Sequence, residues 1–139
     1  MLVTVTPATT EPVTLAEAKS HLRVIHSADD ALISTLIAAA RSAVEMETGR
    51  ALVAAGYRWE PESDEATELP LRPATITSAV DVVPVTFDTA PEEVPAPLKA
   101  AILLLMADMY ANTEATGERF VENPTLQRLI LPYRQNMRV

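Results

Sequence analysis

The sequence predicts a mainly α-helical fold: a small helical bundle of two long helices plus short N- and C-terminal helices, with a small β-hairpin or sheet inserted between the long ones. Three observations predict it. Apolar residues recur at helical spacing over 28–48 and fill every position of 100–107. The stretch between them, 51–88, is rich in Val, Thr and Pro and poor in helix formers. The chain has 139 residues, 48% hydrophobic and 22% charged, which suits one globular domain spanning 1–139. Aromatic residues are 4% of the chain, so an aliphatic core is expected.

Residues 1–12 alternate Val and Thr, contain two prolines, and read as an extended N-terminal arm. Thr14-Leu15-Ala16-Glu17 matches a capping box, in which the Thr hydroxyl and the Glu carboxylate cover exposed helix N–H groups. A short helix is predicted from Leu15 to about Val24. Ser27 and Asp30 offer a second cap, so the first long helix is predicted over 28–48. Leu32, Ile33, Leu36, Ile37, Ala40 and Val44 recur along it, alanines at 38, 39, 40 and 43 thin part of it, and Gly49 stands where a C-cap glycine is wanted. In the short β region, 56–88, the spans 56–60, 67–71 and 75–83, with 85–88 as a further candidate, read as strands kept short by Pro61, Pro70, Pro73 and Pro84. Pro97 suits the first turn of the second long helix, predicted to Asn112. A polar loop over 113–123 follows, then a short helix from Pro124 through Leu131 that Pro132 ends.

Composition excludes several functions. With no cysteine, the chain has no disulfides, thiolate metal sites or cysteine nucleophiles. Eleven basic against 19 acidic residues give a net charge of −8, which argues against gripping phosphate backbones. No signal peptide is visible, and the eight apolar residues of 100–107 cannot cross a bilayer that needs about twenty, so the sequence predicts a soluble protein without membrane association. His21 and His26 share no helix face, and no further ligands stand at metal-binding spacing. The acid pairs Glu45 with Glu47 and Glu92 with Glu93 read as solvated surface. The serines lack a nucleophile elbow, and three glycines leave little scope for a phosphate loop. No catalytic, cofactor or metal site is predicted.

Three features carry two readings each. The thin face of the first long helix and the all-round apolar second one form the monomer core, or share apolar area with other subunits. Between Glu60 and Glu93 stand nine acids (Glu60, Glu62, Asp64, Glu65, Glu68, Asp81, Asp88, Glu92 and Glu93) and one base, Arg72. They form a solvated face or a surface that repels DNA. The C-terminal stretch, where Leu126, Leu129, Ile130, Leu131 and Tyr133 adjoin Arg128, Arg134 and Arg138, docks into an apolar, acidic groove or packs back on its own domain.

The order of the motifs resembles a known family. "EPVTLAEAKSHLRV" followed by "DDALISTLIAAARSAVEMETGRAL" is similar to the opening of the phage head–tail connector proteins, also called head-completion adaptors or DNA-packaging connectors. Thr14, Leu15, Glu17, Ala18, Lys19, Leu22, Arg23, Asp29, Asp30, Ile33, Ala39, Ala40, Glu45, Thr48, Gly49 and Arg50 fall on that pattern, which ends in "E-x-x-T-G-R". "VPAPLKAAILLLMADMYANTEA" resembles the family's second long helix, and "NPTLQRLILPYR" its C-terminal ending. The middle departs from the family: it is shortened, with few aromatics (Tyr57, Trp59 and Phe87).

The resemblance implies a structural virion protein and not an enzyme. It implies a homo-oligomeric ring, commonly dodecameric, under the portal protein. That ring extends the DNA channel and joins the DNA-filled head to a tail-side connector or stopper protein, in a phage or a gene transfer agent. Assembly in the host cytoplasm, no cofactor, and double-stranded DNA passing without specific binding follow from the same likeness. Twelve copies would carry a formal charge of about −96, an acidic wall along which DNA slides. Leu129, Leu131, Pro132, Tyr133, Arg134 and Arg138 are the expected portal-binding residues, in a docking tail over 129–139 whose deletion leaves the fold intact. Ala39, Ala43, Leu103 and Met106 are the expected subunit interface. A monomeric acidic binding module, of the DNA-mimic inhibitor type, is the alternative.

Overall fold

The structure, a computed structural model, describes residues 2–60, 69–77, 85–91, 93–112 and 124–134. Strand β1 (Leu2–Thr6) leads into helices α1 (Leu15–Leu22) and α2 (Asp30–Thr48). Strands β2 (Gly56–Trp59), β3 (Ala74–Ile76) and β4 (Val85–Thr89) follow, then α3 (Ala96–Ala111) and α4 (Pro124–Ile130), with a 3₁₀ turn at Leu131–Tyr133.

The helices begin and end where local chemistry dictates, with one exception. At α1 the Thr14 hydroxyl accepts from the Glu17 N–H at 3.1 Å, and the Glu17 carboxylate accepts from the Thr14 N–H at 3.4 Å. The helix stops two residues before the predicted Val24, because Arg23 turns left-handed (φ 58°) and its N–H caps Ser20 and Lys19 carbonyls. Helix α2 starts at Asp30, and Ser27 supplies only its carbonyl, to the Asp30 N–H at 3.3 Å. The Asp29 carboxylate is engaged elsewhere: it accepts from the Tyr110 hydroxyl at 2.5 Å, tying the start of α2 to the end of α3. Asp30 instead pairs with Lys19 at 2.8 Å. Gly49 ends α2 at φ 68°, where a side chain would be strained.

Two cores result. The larger lies among the helices, where Ile33, Ile37, Ala40 and Val44 of α2 meet Leu98, Ala101, Ile102, Leu105 and Met106 of α3, closed by Leu126 and Ile130 of α4. One face of α3 is fully buried, and much of its remaining surface is half-buried. The smaller core lies under the sheet, where Tyr57 and Phe87 stack at 5.6 Å over Ala51, Ala55 and Leu71. The two cores thus differ in kind: the fully buried side chains of the helical one are aliphatic, with Tyr110 and Tyr133 only half-buried at its edge, and the fully buried aromatics, Tyr57 and Phe87, lie under the sheet.

The sheet is antiparallel throughout, in the order β1-β2-β4-β3. The N-terminal segment is therefore no free arm: its β-branched Val and Thr residues make it an edge strand on β2, bulged between Thr4 and Thr6. Gly56 permits this pairing, since a Cβ there would sit 3.0 Å from Asp88 Oδ1 and 3.1 Å from Thr6 Cβ. Val85–Thr89 is a strand, and the predicted 75–83 strand is reduced to Ala74–Ile76 and begins one residue earlier; 78–83 lie outside the described residues. Leu69–Leu71 are not in a strand. The loop 113–123, the acids Glu62, Asp64, Glu65, Glu68, Asp81 and Glu92, and Arg138 also lie outside the described residues.

Candidate functional site

The "E-x-x-T-G-R" motif is a structural junction between the two cores. Glu45 is 1% exposed, against the expectation of a solvated pair with Glu47, which is exposed. Its carboxylate accepts from Arg41 at 2.7 Å and from the Leu52 N–H at 3.0 Å, holding the chain as it leaves α2 for the sheet. Arg41 also donates twice to Glu11, at 3.0 and 3.1 Å, so one guanidinium ties α2 to the N-terminal segment. Thr48 turns its hydroxyl onto the Val44 carbonyl at 2.8 Å and accepts from the Arg50 N–H at 3.2 Å. The Arg50 guanidinium lies 5.6 Å over the Tyr133 ring, which ties the C-terminal turn to the same junction.

The electrostatics follow from two carboxylates sharing one cation. Burial pushes the Glu45 carboxyl above its ordinary value, opposed by the Leu52 N–H and by Arg41, and reinforced by Glu11. Burial works against the Arg41 charge, but the bonds to Glu11 and Glu45 outweigh it and hold its pKa above the ordinary value. Burial and the Glu45 charge push the Tyr57 phenol up. The i,i+4 spacing of Arg41 and Glu45 is visible in the sequence, whereas the contribution of Glu11 has no local signal. Among the described residues no three His, Asp or Glu side chains are grouped to hold a metal, and no helix is long and apolar enough to cross a membrane.

A model of the phage gp6-like head–tail connector proteins matches residues 12–134. The chain belongs to this family. Its role is accordingly structural, that of a connector. The fold is shared with a chain in a structure described as the neck of an empty GTA particle computed with C6 symmetry. That match has a TM-score of 0.72 and 24% identity, over 100% of this chain and 97% of that one. A chain in a native gene transfer agent virion matches at a TM-score of 0.70 and 23% identity, over 100% and 97%. A comparison with curated proteins returns no match.

The connector's expected interface residues separate on the structure. Ala39 is exposed on α2, Ala43 is half-buried, and Leu103 is half-buried against the helical core. Met106 is fully enclosed in the protomer's own core and has no surface to offer a second copy. Sequence reasoning missed two residues of α2 on the side that carries Ala39 and Ala43. Leu32 (41% exposed) and Met46 (52% exposed) continue the Ala39–Ala43 line, so 32, 39, 43 and 46 form an apolar stripe down one side of α2.

The C-terminal residues divide likewise. Leu129 packs against the helical core, Ile130 is buried, and Tyr133 is half-buried beneath Arg50. Arg134 bonds to Glu47 at 2.8 Å and to Gln127 at 3.3 Å. The fold therefore continues through Arg134, and deletion from Leu129 would cut into the core, contrary to expectation. Leu131 (52% exposed) and Pro132 present their surfaces to solvent.

Proposed function

We propose that this connector forms a ring of identical subunits, commonly twelve, on the portal at the head–tail junction of a phage or gene transfer particle. The ring prolongs the DNA channel and offers its far side to a tail-side connector or stopper protein. The observation that carries this reading is the apolar stripe of α2, in which Leu32, Ala39 and Met46 are exposed and Ala43 between them is half-buried. Small residues let a neighbouring backbone approach closely, and a ring needs one such face to meet a different face of the next copy. Leu103, half-buried on α3, is a further contact between copies in this reading. The six-fold symmetry of the related neck structure supports a ring of six or twelve.

The charge of −8 per copy supports an acidic channel that does not hold DNA. Copies repel one another through the same charge, so the portal templates the ring and the isolated chain is monomeric or weakly associated. Leu131, Pro132 and Arg138 contact the portal, while Leu129, Tyr133 and Arg134 fix the base from which that segment projects.

Ala39→Arg tests the stripe. The side chain is exposed, so the melting temperature is expected to stay within a few degrees of wild type. Ring formation on portal, counted by electron microscopy, is expected to be lost. Unchanged rings would remove the stripe from the interface. A stoichiometric complex with a nucleic-acid enzyme, and no portal binding, would instead support the acidic binding module.

A further inference from the structure

Ile25 is 98% exposed, at the corner where α1 gives way to α2. That corner is pinned on both sides. The Arg23 N–H closes α1 in a left-handed turn, and Lys19 pairs with Asp30 at 2.8 Å. A groove of about 300 Å³ lies at the opposite end of α2, lined by Ala43, Met46, Leu105, Leu126 and Ile130 from α2, α3 and α4. It opens outward beside Met46, which is 52% exposed. About 24 Å of helix separates Asp30 from Met46, so corner and groove cannot meet within one subunit. They can meet between copies, and only head to tail, the kind of contact that closes into a ring. Charge favours the pairing. At the corner Lys19 engages Asp30 and the Tyr110 hydroxyl engages Asp29, so the exposed charge beside Ile25 is that of Arg23. Among the described residues Glu47 is the one charged side chain lining the groove, and it is exposed. It accepts from Arg134, and a carboxylate has lone pairs for a second donor.

We propose that Ile25 of one connector copy enters the α2–α3–α4 groove of the next, with Arg23 reaching the Glu47 carboxylate at its rim. This contact presupposes the ring proposed above and supplies its second face, the one that meets the α2 stripe. Ala43 and Met46 belong to both stripe and groove, so the neighbour's corner extends one continuous apolar contact. Each subunit gives one corner and takes one, so no copy in a closed ring leaves its groove empty.

The chain has no cysteine, which allows a direct test with Ile25→Cys combined with Met46→Cys in the full-length protein assembled on its portal. Under mild oxidation a ladder of covalent multiples is expected on a denaturing gel. Either single variant is expected to stay at monomer mass, because a head-to-tail contact never brings the same residue of two copies together. Ile25→Asp is expected to melt within a few degrees of wild type, its side chain being exposed, and to leave at least about tenfold fewer portals ringed by electron microscopy. Wild-type rings from which the cysteine pair gives no ladder would overturn the corner contact and leave the ring reading standing. So would Ile25→Asp rings at wild-type frequency, which decide alone should the cysteine pair fail to assemble. Portals that wild type leaves bare would overturn the ring reading and this contact with it.

Discussion

The helical half of the connector buries Ile33, Ile37, Ile102 and Met106 between long, locally capped helices, whereas the sheet half buries Tyr57, Phe87 and Leu71 under four short strands. Helix α2 meets α3 across many turns, and the caps at Thr14 of α1 and Gly49 of α2 act within a few residues. The sheet depends on partners far along the chain, with β1 pairing residues 2–6 to 56–59 and β2 pairing 56–59 to 85–88. The polar junction at Glu45 fastens this small, non-local core to the larger one. The lesson is that a buried carboxyl can be the part that makes two cores one domain.

The largest way to break that coupling is Glu45→Ala. It leaves the Leu52 N–H without its acceptor and one of the three Arg41 bonds unmet, so a loss of about 3–5 kcal/mol is expected. The single tryptophan, Trp59, reports on the sheet, and far-UV circular dichroism on the helices. In wild type the two urea transitions are expected to coincide. In the variant the Trp59 transition is expected to come at lower urea than the helical one, and coincident transitions would show that the junction does not couple the cores.

Glu45→Gln sharpens the comparison through pH. Because burial raises the Glu45 carboxyl above 4.5, the fold favours its protonated form. The stability this group contributes is full in acid below that value and declines as pH rises through the folded-state value. The advantage of wild type over the glutamine variant, measured by urea midpoint, is therefore expected to shrink as pH rises above 4.5. An advantage that widens would mean the Arg41 charge dominates.

The smallest effect is expected at a purely local feature. Thr14→Ala removes the α1 cap at the exposed edge of the helical half and is expected to cost about 1 kcal/mol by thermal melting, with both probes moving together. A separation of the two probes here would place α1 in the coupling.

What could be read from the sequence follows the same division. Helix starts and stops were legible because Thr14, Glu17, Gly49 and Pro97 act on their own neighbours. The sheet was legible in place but not in pairing: nothing local says that Val3 and Thr4 meet Arg58 and Tyr57. Glu45 reads as surface because carboxylates usually are, and its burial depends on Arg41, Glu11 and a backbone N–H together. Ala39 and Ala43 were visible as thin positions, yet Met106 was indistinguishable from Leu103 along an all-apolar helix whose inward face only packing reveals. The C-terminal "PYR" was recognisable as a motif, but its anchoring under Arg50 and on Glu47 is a tertiary fact.

Cryo-electron microscopy of the purified chain, alone and mixed with its portal, bears most directly on the stripe as the contact between copies. Free subunits without portal, and a closed annulus on it with Ala39 buried between neighbours, is the predicted pair of results. Stable rings without portal, or an annulus in which Ala39 faces solvent, would contradict the account.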